Sequence, residues 1–114
     1  MATTATNSAA NLEAAALTIA QHYRTVPARE TETAIALLML WSLDALDSAR
    51  ITSDDATAIL TRLWVDVSNP PAGPDLSEAV HKLLEEGTWL HDEAIGEGPD
   101  RGQLRAAAHT VLSA

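Results

Sequence analysis

The sequence predicts an all-α fold, a five-helix bundle around a central apolar helix at about residues 28–49. Residues 34–43 (AIALLMLWSL) are apolar on all sides of a helix, so the other helices must enclose them. Apolar residues recur at helical spacing in five segments, and no alternating strand pattern competes. The 114 residues indicate one domain at 8–114, preceded by a disordered or frayed tail at 1–7.

Capping and breaking residues place the first three helices. The first helix is predicted from about residue 8 to 24, before Pro27, which suits the first turn of the second helix. Thr52 and Asp55 have the spacing of a capping box at the start of the third helix. Because the connection between helices two and three is only about two residues long, we expect an antiparallel hairpin.

A proline-rich crossover, residues 69–74 (NPPAGP), separates this hairpin from the fourth helix. Asp75 is the predicted cap of the fourth helix. Gly87 either lies within that helix or ends it. Asp100 is the predicted cap of the fifth helix, which extends towards the C-terminus.

The net charge of −9 is concentrated in one part of the chain. Residues 75–100 contain eight acidic residues, with Lys82 as the one basic residue among them. This sign disfavours binding to nucleic acid through phosphate contacts and permits a basic protein partner, although acidity also serves solubility. The chain has no cysteine and no signal-peptide pattern, so we expect a cytoplasmic protein that does not bind a membrane.

No catalytic or nucleotide-binding motif is present, so we expect neither enzymatic activity nor a cofactor. The leading hypothesis is a small acidic, non-enzymatic protein-interaction domain, with the physical character of inhibitor, immunity or antitoxin proteins. It would bind a basic partner through the fourth helix and the residues after it. The candidate interaction residues are Glu85, Glu86, Trp89, Asp92 and Glu93.

The position of Trp89 depends on whether the fourth helix continues through Gly87. A continuous helix places Trp89 on the acidic outer side, an arrangement typical of a binding hot spot. A break at Gly87 resets the helical phase, so that Trp89 covers the core beside Trp41 and Trp64. Since tryptophan is highly buried on average, we expect core cover.

Self-association is the first alternative function. Leu37, Leu40 and Trp41 lie on the back of the central helix, away from its best apolar face. If the other helices leave these residues uncovered, the back of this helix becomes the interface of a homodimer.

A metal-binding bundle is the less favoured alternative. Glu78 and His81 have the Glu-x-x-His spacing of di-iron helical bundles, which places both side chains on one helix face. The sequence has no second motif of this kind, and this face lies opposite the apolar stripe. Both residues are therefore weak candidates, as is His91, and we predict no metal site.

Overall fold

The computed structural model describes residues 9–68 and 76–113, and in these ranges the chain folds into helices. The predicted tail at 1–7 and the crossover at 69–74 lie outside the described residues. The prediction of an all-α fold with five helices is confirmed. The α-helices are α1 (Ala9–His22), α2 (Ala28–Asp47), α3 (Ser53–Ser68), α4 (Glu78–Gly87) and α5 (Arg101–Ser113), with a 3-10 helix (Leu90–Ile95) between α4 and α5.

Helix α2 occupies the centre of the bundle. It packs against all four other α-helices, and most extensively against α5. The side chains predicted to face inward are all buried: Ile35, Leu38, Met39, Ser42, Leu43 and Leu46. None of the helices in the described ranges is long and apolar enough to cross a membrane.

A tight turn joins α2 to α3, in agreement with the short predicted connection. Ala49 adopts a left-handed conformation (φ 58°). The backbone N–H of Arg50 donates to the carbonyl of Ala45 at 2.8 Å, and that of Ala49 donates to the carbonyl of Leu46 at 3.0 Å. This pair of hydrogen bonds is the Schellman ending of a helix. The predicted side-by-side packing is limited, because α3 packs mainly on α1 and α4 while α2 packs mainly on α5.

Replacing Ala49 by glycine is expected to raise the free energy of unfolding by about 0.5–1 kcal/mol. Alanine in the left-handed region is strained by its Cβ atom, whereas glycine is not. Urea denaturation compares the variant with the wild type. Ala58→Gly, at an exposed helical position of α3, is the control and should lose about 1 kcal/mol. A loss of stability in both variants would contradict the prediction.

The predicted capping box of α3 is confirmed. The backbone N–H of Asp55 donates to Thr52 Oγ1 at 3.1 Å, and the backbone N–H of Thr52 donates to Asp55 Oδ2 at 3.0 Å. Asp100 also lies at its predicted position before α5, where Oδ1 accepts the backbone N–H of Gly102 at 2.7 Å. Both helices therefore begin where the sequence pattern places them.

The prediction that Asp75 caps α4 was wrong. The helix begins at Glu78 and its cap is Ser77, whose Oγ accepts the backbone N–H of Val80 at 3.4 Å. The N–H of Ser77 in turn donates to Glu32 Oε2 at 2.6 Å, which ties the start of α4 to α2. Asp75 itself lies outside the described residues.

Gly87 ends α4 at a point of close contact with α2 and α3. A Cβ atom at Gly87 would lie 2.8 Å from Leu60 Cδ1 and 2.9 Å from Met39 Cε. The absence of a side chain therefore lets the last turn of α4 pack directly on α2 and α3. The chain then continues through a turn into the 3-10 helix.

Candidate interaction surface

The segment after α4 carries the most exposed large apolar side chains of the described residues. Trp89 is 54% exposed and Ile95 is 68% exposed. Although α4 does end at Gly87, the expectation that Trp89 then covers the core was wrong. Leu90, the next residue, is fully buried instead. The turn after Gly87 therefore places Leu90, and not Trp89, against the core.

The three tryptophans do not form a buried cluster with Trp89 among its members. Trp41 is 40% exposed, and Trp64 is partly buried against the core. The aromatic neighbour of Trp89 is His91, whose imidazole stacks on the indole with 6.1 Å between ring centroids and 26° between planes. His91 Nε2 lies 3.1 Å from Asp92 Oδ1. Trp89, His91 and Asp92 thus form a contiguous group on the surface.

Glu93 faces the protein rather than the solvent. Its side chain is 20% exposed and forms a paired contact with Arg101, with Nε–Oε2 at 2.6 Å and Nη2–Oε1 at 2.8 Å. Ser53 Oγ donates to Glu93 Oε1 at 3.1 Å. These hydrogen bonds, above all those from Arg101, hold the pKa of Glu93 below its ordinary value. The contact with Glu93 in turn raises the pKa of Arg101. Glu93 therefore fixes the segment to α3 and α5.

The same ion-pair network continues along α2 and α5. Arg101 Nη1 donates to Asp47 Oδ1 at 2.8 Å, and Arg105 donates to Asp44 Oδ1 at 2.9 Å and Asp47 Oδ2 at 2.5 Å. No role was predicted for Asp44 and Asp47 from the sequence. The available signal was their spacing of three, which matches two arginines four residues apart on a facing helix.

Replacing Glu93 by glutamine is expected to reduce the pH dependence of stability. Because folding lowers the pKa of Glu93 from its ordinary 4.5, the carboxylate favours the folded state above pH 4.5. That contribution is lost as the pH falls through the lower folded-state pKa. The variant should be less stable than the wild type by about 1 kcal/mol at neutral pH, with the difference shrinking in acid. Urea denaturation across this range measures it, and a constant difference would contradict the assignment.

The remaining carboxylates of the predicted interaction set lie at the end of α4 and in the 3-10 helix. Glu85 is exposed. Among the described residues no cation forms an ion pair with it. Glu86 Oε2 lies 4.0 Å from Lys82 Nζ, and the side chains are 41% and 73% exposed, respectively. Pairs of this kind contribute little to stability, so the carboxylate of Glu86 remains available.

The weak metal candidates lie beside a surface groove and belong to no larger group of metal-ligating side chains in the described ranges. Glu78 is exposed and His81 is partly buried, and both border a shallow groove between α3 and α4 beside Trp64. Within the described part of the chain, no three histidine, cysteine, aspartate or glutamate side chains are grouped so as to hold a metal ion. His91 points to the surface, where it contacts Trp89 and Asp92.

The back of α2 is largely covered by its neighbours. Leu37 is partly buried, and Leu40 is partly buried against the core. Trp41 remains 40% exposed. Of the three residues predicted for self-association, Trp41 is therefore the one that presents substantial apolar surface.

Among the known proteins, comparison with family models, with curated sequences and with solved structures gives no match to this chain.

Proposed function

We propose that this protein is an acidic, non-enzymatic protein-interaction domain that binds a basic partner through the end of α4 and the 3-10 helix. The half-exposed indole of Trp89 carries the proposal. Tryptophan is the residue type most enriched among the residues that dominate binding energy. We define the Trp89 surface as Glu85, Glu86, Trp89, Asp92 and Ile95.

The Trp89 surface is held in place before any partner binds. The backbone N–H of His91 donates to Thr57 Oγ1 at 2.9 Å, and Glu93 binds Ser53 and Arg101. A segment that is already ordered loses little conformational entropy on binding. This makes the exposed indole a better contact than the same residue on a mobile loop would be.

The charges around Trp89 favour a basic partner. The acids at the other end of the network, Asp44 and Asp47, are neutralised within the molecule by Arg101 and Arg105. Among the described residues, the carboxylates at the end of α4 are not neutralised in this way, since the one ion pair there is the exposed contact of Glu86 with Lys82. Negative charge of this kind accelerates association with a positive surface, and salt screens the effect.

The experiment that tests the proposal is charge reversal at the end of α4. The immobilised wild type should retain a basic protein from a soluble extract at low ionic strength and release it as salt is raised. The double variant Glu85→Lys/Glu86→Lys should lose this retention. The retained protein is identified by mass spectrometry and purified. Its titration with the wild type and with the double variant then gives the change in affinity.

The matched control is Glu13→Lys/Glu30→Lys. Both residues are exposed acids on α1 and α2, and the control changes the net charge by the same amount. It should leave retention close to that of the wild type. Equal loss in both double variants would show that net charge alone drives binding, and unchanged retention in both would exclude the surface at the end of α4.

Self-association through α2 is the second candidate, and the half-exposure of Trp41 favours it. A stable dimer buries about 800 Å² on each subunit, more than one tryptophan supplies. Sedimentation at high micromolar concentration tests this candidate. A dimer that Trp41→Ser dissociates would support it, whereas a monomeric wild type would remove it.

A further inference from the structure

We infer that the partner contacts the Trp89 surface with an arginine side chain that stacks on the indole of Trp89. This inference rests on the proposed function and adds the chemistry of the contact. Stacking of an arginine on the indole predicts a dependence on side-chain type and on Trp89 that general charge attraction does not predict.

Much of Trp89 stays exposed even though His91 contacts its ring. His91 stacks against Trp89 with 26° between planes, and 54% of Trp89 nevertheless remains exposed. A guanidinium group is planar and weakly hydrated, and it stacks on aromatic faces. Tryptophan is the best aromatic partner for such a cation.

Carboxylates lie on both sides of this indole along the chain. Trp89 immediately precedes the 3-10 helix, in which residues three apart project on the same side, so Asp92 lies next to it. Glu85 and Glu86 precede it by one turn, and the backbone N–H of Trp89 donates to the carbonyl of Glu86 at 3.1 Å. A stacked guanidinium could therefore direct its N–H groups to a carboxylate while its face covers the indole.

Other kinds of side chain fit this surface less well. An apolar side chain would cover the indole but would desolvate neighbouring carboxylates without pairing them. A lysine ammonium would pair with the carboxylates, but it is a compact, strongly hydrated charge that does not stack. Arginine satisfies the aromatic and the acidic parts of the surface together.

The test compares hexaarginine with hexalysine, both with blocked termini, as ligands of the intact protein at low ionic strength. The two peptides have the same charge, so a difference in affinity reports the side-chain chemistry. We expect hexaarginine to bind about two- to fivefold more tightly, the fold-change expected of an exposed cation–π contact. The indole N–H resonance of Trp89, one of three tryptophans, should shift most during the arginine titration.

Two variants locate the difference. Trp89→Leu should bind both peptides with equal affinity, and Trp41→Leu should keep the arginine preference of the wild type. Trp41 is a suitable control because it is also a half-exposed tryptophan, while the nearby Asp44 is already paired with Arg105. Both variants should unfold at the same urea concentration as the wild type to within the small effect of a surface substitution.

The outcomes separate this inference from the proposed function. Equal binding of the two peptides to the wild type, with both weakened by salt, would overturn the arginine inference and leave the acidic interaction surface standing. An arginine preference that survives in Trp89→Leu would also overturn it. No salt-sensitive binding of either peptide would overturn the proposed function and the inference together.

Discussion

Replacing Leu38 by alanine is expected to lower the free energy of unfolding by about 3–5 kcal/mol. Leu38 is completely buried on α2, the helix that contacts all four others. The substitution removes apolar burial and leaves a cavity that surrounding helices fill incompletely. Since domains of this kind unfold with about 5–15 kcal/mol, the loss is a large part of the total stability. Urea denaturation followed by circular dichroism measures it.

Leu37→Ala provides the matched control one residue away. Leu37 is only partly buried, so the same chemical change in the same helix should cost less than about 1.5 kcal/mol. The difference in free energy of unfolding between the two variants therefore measures the burial of Leu38 by the neighbouring helices, because the effect on helix propensity is the same in both. Equal losses would contradict the assignment of the inward face of α2.

Replacing Gly98 by alanine is expected to cost about 2–3 kcal/mol and to disturb the segment that carries Trp89. A Cβ atom at Gly98 would lie 2.8 Å from the backbone nitrogen of Glu93 and 3.1 Å from the carbonyl oxygen of Trp89. These are backbone atoms, so they cannot move aside as the end of a flexible side chain can. Either the 3-10 helix or the turn at Gly98 must therefore shift, which disturbs the packing of the segment that contains Trp89 and Glu93.

Gly102→Ala is the control for this prediction. Near the start of α5, a Cβ atom would meet a side-chain oxygen of Asp100 at 3.2 Å, and alanine is the better helix former. Its stability should equal or exceed that of the wild type. The measurements are urea denaturation and the emission spectrum of Trp89 in a Trp41→Phe/Trp64→Phe background. A Gly98→Ala protein with wild-type stability and emission would contradict the role of this close approach.

The local sequence pattern was sufficient to predict much of the fold. The apolar spacing of α2 identified its buried face, including Leu38 and Leu43, because helical geometry relates spacing to direction without knowledge of the partners. The capping box of Thr52 and Asp55 was also predictable, since both groups of each hydrogen bond lie within one turn. Features of this kind depend only on residues close together in the chain.

The packing and the candidate surface depended on contacts that no local pattern contains. The break at Gly87 was one of two predicted possibilities, but the exposure of Trp89 followed from the position of Leu90 against the core. The pairing of Glu93 with Arg101 depends on how the 3-10 helix meets α5. As a result, Glu93 was predicted to contact a binding partner, whereas its carboxylate pairs with Arg101 of the same chain.

The attachment of the Trp89 segment to three different helices would couple folding to the proposed recognition of a partner. Glu93 reaches Ser53 on α3, Arg101 on α5 and, through Arg101, Asp47 on α2. A chain in which any of these helices has not docked lacks the framework that orients the indole. A partner that binds here would select completely folded molecules. At a hundred times its dissociation constant, it would stabilise them by about 2.7 kcal/mol against unfolding.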